Sequence, residues 1–152
     1  MYVAATAVAL FFLLLIGLTW KKQKHTRTML HTAVTPVSEL PELLAKHARG
    51  FLLLLDEYTC VRTIAQLPLI IRLLEKEQIP WMIANAAEQF DPQKGICPIC
   101  PYLQKFQVNS IPTLIYYEGE FAEKKLVFPG DRPDLKAIEQ FLREVTALKN
   151  VS

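Results

Sequence analysis

From Val3 to Trp20 the chain carries no ionisable side chain, and the run stops at Lys21, Lys22, Lys24 and Arg27. Eighteen helical residues at about 1.5 Å each span ~27 Å, close to a bilayer core of roughly 30 Å. A cleaved secretory signal would want a basic region before the apolar run and a small-residue cleavage site after it. Here only the amino terminus precedes the run, and Thr19-Trp20-Lys21-Lys22 is a poor cleavage site. The sequence therefore predicts a single-pass anchor over residues 1–20, a basic juxtamembrane linker over 21–37 and a domain over 38–152. Positive charge stays on the cytoplasmic side of a membrane. The flank thus favours a domain facing the cytoplasm, with an extracytoplasmic placement as the competing orientation.

Charge divides along the same boundary. Four of the 17 Lys and Arg residues lie in 21–27, and all 15 Asp and Glu residues lie after Ser38. The part after residue 38 is slightly acidic, which removes the electrostatic support for a nucleic-acid partner. The basic flank is suited to anionic lipid headgroups.

The rest of the chain alternates helical and extended patterns. Ser38 is read as the cap of a short helix that contains Pro41 and Glu42 and ends near His47. Phe51–Leu55, an unbroken apolar run, reads as a central strand buried on both faces. Ile64, Leu67, Ile71 and Leu74 recur at helical spacing and predict a helix over 61–77, kinked at Pro68. A strand is expected over Trp81–Asn85, a loop over 86–96 and a short helix from Pro101 to Gln107. Thr113–Tyr117 and Lys124–Phe128 read as a hairpin whose loop exceeds the two-residue minimum. Tyr116 and Tyr117 should point to opposite faces, one inward and one outward. Asp131-Arg132-Pro133-Asp134 starts a last helix with an apolar face of Leu135, Ile138, Phe141, Leu142, Val145 and Leu148.

This order resembles the thioredoxin-like superfamily over residues 36–149. The strand Phe51–Leu55 runs into Asp56-Glu57-Tyr58-Thr59-Cys60, where that family places its nucleophilic cysteine. Pro68 falls where the family has a kinking proline. The segment from Phe106 to Thr113 resembles the one that carries the family's cis-proline, here Pro112. The resemblance implies an α/β fold with a central mixed sheet flanked by helices. It also implies thiol–disulfide chemistry at Cys60, with Arg62, Thr63, Ile111 and Pro112 meeting an extended substrate. The departures are as specific. The motif reads Cys60-Val61-Arg62-Thr63, with a hydroxyl in place of the second cysteine. The family's buried aspartate falls at Leu54 and its tryptophan at Thr59. A full dithiol cycle at Cys60 is therefore excluded.

A second pair, Cys97-Pro98-Ile99-Cys100, stands elsewhere and is followed by Pro101. A thiolate near neutrality needs a depressed pKa. For Cys60 the source would be a helix N-terminus and the Arg62 cation, against the competing reading of a small buried hydrophobe at an inherited position; for Cys100, a cap position before Pro101. Cys97 and Cys100 admit three readings: a redox dithiol, a structural disulfide, or half of a metal site. A closed zinc site wants four ligands. Besides the pair the domain offers Cys60 as a third sulfur and His47 as its one histidine, at the end of the first helix, with His25 and His31 in the linker; no metal or other cofactor is predicted. A relay in which Cys97 or Cys100 resolves Cys60 would need Cα atoms within about 7 Å.

Two functions follow. One is a membrane-tethered thiol–disulfide oxidoreductase acting on protein thiols or disulfides, its partner membrane-associated. The other is a catalytically degenerate binding or assembly subunit of a membrane complex. Whether the chain is an enzyme stays undecided at this level.

Overall fold

A computed structural model of the full chain describes residues 32–149 together with Ile16. The predicted anchor lies outside the described residues, Ile16 excepted, as does nearly all of the basic linker. Among the described residues no helix is long and apolar enough to cross a membrane. The compact unit considered below begins at Ala33. It takes in the end of the predicted linker, where the Thr35 amide donates to the Ile83 carbonyl at 2.7 Å.

A single turn of 3-10 helix, Val37–Glu39, leads into α1 (Leu40–Lys46), β1 (Arg49–Leu55) and α2 (Val61–Lys76). Next come β2 (Trp81–Asn85), α3 (Cys100–Lys105), β3 (Thr113–Glu118) and β4 (Phe121–Val127). A 3-10 turn, Pro129–Asp131, precedes α4 (Leu135–Lys149). Ser38 is not the helix cap. It sits inside the 3-10 turn, and Glu39 occupies the cap position of α1 without a side-chain bond.

The sheet has the order β2-β1-β3-β4. β1 runs parallel to β2, from Phe51 opposite Trp81 to Leu55 opposite Asn85, and antiparallel to β3. A parallel neighbour requires a crossover, and α2 supplies it. β1 is covered on both sides, so six consecutive residues, Gly50 to Leu55, are buried. The same covering explains why Tyr116 and Tyr117 are both buried, contrary to the alternation expected for a half-exposed strand. Only β4, at the sheet edge, alternates between exposed and half-buried positions.

The two faces are distinct layers. On one, Leu52, Leu54, Met82, Ala84 and Tyr117 pack with Val37, Leu40 and Leu44 from the N-terminal helical segment and with Ile99 and Phe106 beside α3. On the other, the Phe51 ring meets those of Tyr116 at 5.4 Å and of Phe141 in α4 at 6.4 Å. α4 buries Ile138, Phe141, Leu142 and Val145, while Leu148, read as part of its apolar face, is 49% exposed. Two glycines are required by geometry. A Cβ on Gly50 would lie 2.5 Å from the Tyr117 hydroxyl, so only glycine admits that ring. Gly119 has φ +59° in the hairpin, whose loop is the two residues Gly119 and Glu120. The hairpin is thus tighter than expected, because β4 begins at Phe121 rather than Lys124. A left-handed glycine at the first loop position is what a type II′ turn uses.

Candidate thiol-disulfide site

Three segments meet the end of the sheet where β1 and β2 finish and β3 starts. The first is the turn from Asp56 to Cys60. The Asp56 carboxylate accepts the Tyr58 and Thr59 amides at 2.8 and 3.0 Å, and the Asn85 side chain accepts the Glu57 amide at 3.2 Å. These bonds deliver Cys60 to the cap position of α2. The second is Ser110 to Thr113, where the Ile111–Pro112 peptide is cis. Pro112 is buried and Ile111 half-buried, and the Pro112 carbonyl accepts the Phe128 amide at 3.0 Å. The third is Pro129–Asp131.

The strand order 2-1-3-4, the crossover helix starting at a cysteine after β1, and a buried proline opening β3 at the same sheet end settle the architecture. The fold is thioredoxin-like. Neither protein-family models nor curated protein sequences give a match to this chain. Among solved structures, the chain is similar to thioredoxin O2 from Arabidopsis thaliana in its oxidised state. Identity is 16% and TM-score 0.48, covering 75% of this chain and 95% of that one. The topology, not this similarity, carries the thioredoxin-like assignment.

At the position where a thioredoxin-like chain places its nucleophile, Cys60 is a free thiol, 1% exposed. Its sulfur accepts the Asp56 amide at 3.3 Å and lies 3.8 Å from the Thr59 hydroxyl. Burial pushes the thiol pKa up. The Asp56 amide and Thr59 hydroxyl pull it down by less, and the carboxylates of Asp131 and Asp56 push it further up. The direction is opposite to the one a helix N-terminus and Arg62 would give, and it accords with the reading of Cys60 as a small buried hydrophobe. The amides that would stabilise an anion are already used. Arg62 N–H donates to Asp131 Oδ2 at 2.7 Å, and Thr63 N–H donates to Asp131 Oδ1 at 3.0 Å. The Thr63 hydroxyl donates to the same oxygen at 2.7 Å. Asp131, held at φ +56°, therefore caps α2 from outside the helix, since Cys60 offers no side-chain cap of its own. An ionised carboxylate accepting first-turn amides is favoured by the helix dipole, so the anion seat of α2 is filled. Thr63, buried where a second cysteine would stand, serves as the hydroxyl that pins this carboxylate.

Cys97 and Cys100 are bonded to each other, with Cα atoms 5.4 Å apart. Among the described residues no group of three or more His, Cys, Asp or Glu is placed to hold a metal ion. Cys100 is the first residue of α3 rather than its cap, which is Ile99, and a six-residue helix has little dipole to offer. Both cysteines are half-buried. Cys97 packs against the layer of α1 and Leu52, whereas Cys60 starts the helix of the opposite layer. The structure joins the pair and leaves Cys60 as a free, buried thiol.

Sequence reasoning missed Asp131 as the partner of Arg62 and Thr63. In the sequence Asp131 reads only as part of the start of the last helix, and nothing in the spacing links a carboxylate to amides 68 and 69 residues earlier.

Proposed function

We propose that this chain is a membrane-tethered thiol–disulfide exchange protein whose working pair is Cys97–Cys100, with Cys60 inert. The observation that carries the reading is the contrast in state and exposure: the pair forms a half-buried disulfide, while Cys60 is a sealed thiol. A thiolate of a protein dithiol attacks one sulfur of the pair and forms a mixed disulfide. The partner's second thiol then displaces it. Two electrons and two protons pass to Cys97 and Cys100, and the partner leaves as a disulfide. The apolar run Val3–Trp20 and its basic flank support tethering to a bilayer, with the domain on the cytoplasmic side and a membrane-associated protein as partner. Disulfides in a reducing cytosol are transient and catalytic or redox-sensing rather than structural, which agrees with an exchanging pair on that side.

The test is equilibration of the full chain, in detergent micelles, across thiol redox buffers, with free thiols counted by alkylation and mass. A reversible two-electron midpoint for the pair between about −270 and −120 mV is expected. A pair that resists excess dithiothreitol, or titrates below about −300 mV as structural disulfides do, sinks the reading.

A second reading has its own observation in favour. Asp131 fills the α2 N-terminus and Leu54 stands at the proton-transfer position, as in a domain kept for binding rather than turnover. That reading predicts a pair that stays oxidised throughout the titration.

A further inference from the structure

α3 is a helix that depends on its tethers. It has six residues, none of them fully buried, with Tyr102 and Leu103 packed against the core from its inner side. A helix this short does not persist in water on its own. At its far end, Lys125 Nζ donates to the carbonyls of Phe106 and Gln107 at 3.2 and 2.8 Å, and the Phe106 ring is buried. At its near end stand Ile99, 2% exposed, and the covalent bond from Cys100 back to Cys97, which packs against the core. The outer side of α3 forms a wall. Pro101, Tyr102 and Lys105 line a groove of about 460 Å³ together with Pro41, Leu44 and Ala45 of α1 and Gly119 and Glu120 of the β3–β4 turn. The Lys105–Glu120 ion pair at 3.4 Å links that wall to the turn, and its Glu120 side chain is largely exposed.

We propose that the Cys97–Cys100 bond is a redox-sensitive tie that sets the position of α3 and thereby the shape of the α1–α3 groove. This rests on the reading that the pair exchanges with a dithiol. When a protein dithiol reduces the bond, two electrons and two protons give the free thiols of Cys97 and Cys100, and the dithiol becomes a disulfide. The helix then loses its covalent near-end tether and keeps the Ile99 anchor, the core packing of Tyr102 and Leu103, the Val108 amide bond to the Leu103 carbonyl and the Lys125 bonds. Reduction is therefore read one helix away from the sulfurs, on a surface formed by α1 and the hairpin turn. β1, α2 and α4 make no part of this wall and stay unchanged.

Amide chemical shifts and hydrogen exchange of the full chain in detergent micelles, oxidised and after dithiothreitol, test this. The expected result is amides of residues 101–105 exchanging at least about tenfold faster in the reduced chain. Shift changes should extend across the groove to Leu44, Ala45 and Gly119. The double variant Cys97→Ala/Cys100→Ala should reproduce the reduced spectrum in α3 without any reductant. Changes confined to residues 97–100, with α3 exchange unaltered, would overturn the inference while leaving the exchange reading intact. A disulfide that dithiothreitol does not open would overturn both.

Discussion

The turn into α2 and the turn into α3 both bring cysteine to the start of a helix, yet the two places differ in every property that governs thiol chemistry. At α2 the sulfur is buried, its pKa pushed up by that burial, and beside a helix end already occupied by the Asp131 carboxylate. At α3 two sulfurs are joined, half-buried, and set at the start of a six-residue helix. Position in the fold therefore does not confer reactivity. Burial, neighbouring charge and the partners of the helix amides do, and here they point away from the position that the thioredoxin resemblance implies.

The contrast can be broken most directly by thiol reactivity. In the reduced chain at pH 8, Cys97 and Cys100 should react with iodoacetamide at least about 100-fold faster than Cys60. Because the Cys60 thiol is raised above its ordinary value, its alkylation should continue to climb with pH beyond the range where an exposed cysteine has levelled off. Equal rates for all three thiols would erase the distinction.

Asp131→Ala probes the closed side. It removes the acceptor of two amides and one buried hydroxyl, and should destabilise the domain by about 1–3 kcal/mol in denaturant titration. With the carboxylate gone, Cys60 alkylation should quicken. Unchanged stability would mean that the α2 end is not held in this way.

A smaller effect lies in the layer that carries the pair. The Tyr117 hydroxyl is buried and has no hydrogen-bond partner among the described residues. Tyr117→Phe should stabilise the domain by roughly 1 kcal/mol. Burial also pushes the Tyr117 phenol up to about 12 from its ordinary value of 10.0. The unfolded chain ionises first, so this group's contribution is present below pH 10 and is lost as pH rises toward 12. Tyr117→Phe should therefore flatten the alkaline decline in stability. A decline of the same depth in the variant would assign it elsewhere, for example to Tyr116, which burial and the Glu118 carboxylate also raise to about 12.

Much of this fold was legible in the sequence. The apolar run Phe51–Leu55 and the helical spacing of Ile64, Leu67 and Leu74 located β1 and α2, because burial demands those patterns directly. Local pattern failed where tertiary covering decides. Tyr116 and Tyr117 are both inside because helices lie on both faces, and β4 starts early because a left-handed Gly119 closes a two-residue turn. At the candidate site, residue type and spacing picked out three cysteines and left Cys60 open between a reactive thiol and a buried hydrophobe. The helix-dipole argument was sound physics applied to amides that Asp131, far along the chain, had already taken.

The central claim is that exchange belongs to the pair before α3 and not to Cys60. Reduction of a protein disulfide by the dithiol-reduced full chain in micelles measures it, comparing Cys60→Ser with Cys97→Ser and Cys100→Ser. The account predicts that Cys60→Ser keeps its rate within about twofold, while each pair variant loses at least ~100-fold. A Cys60→Ser variant that loses activity while the pair variants retain it would contradict the account.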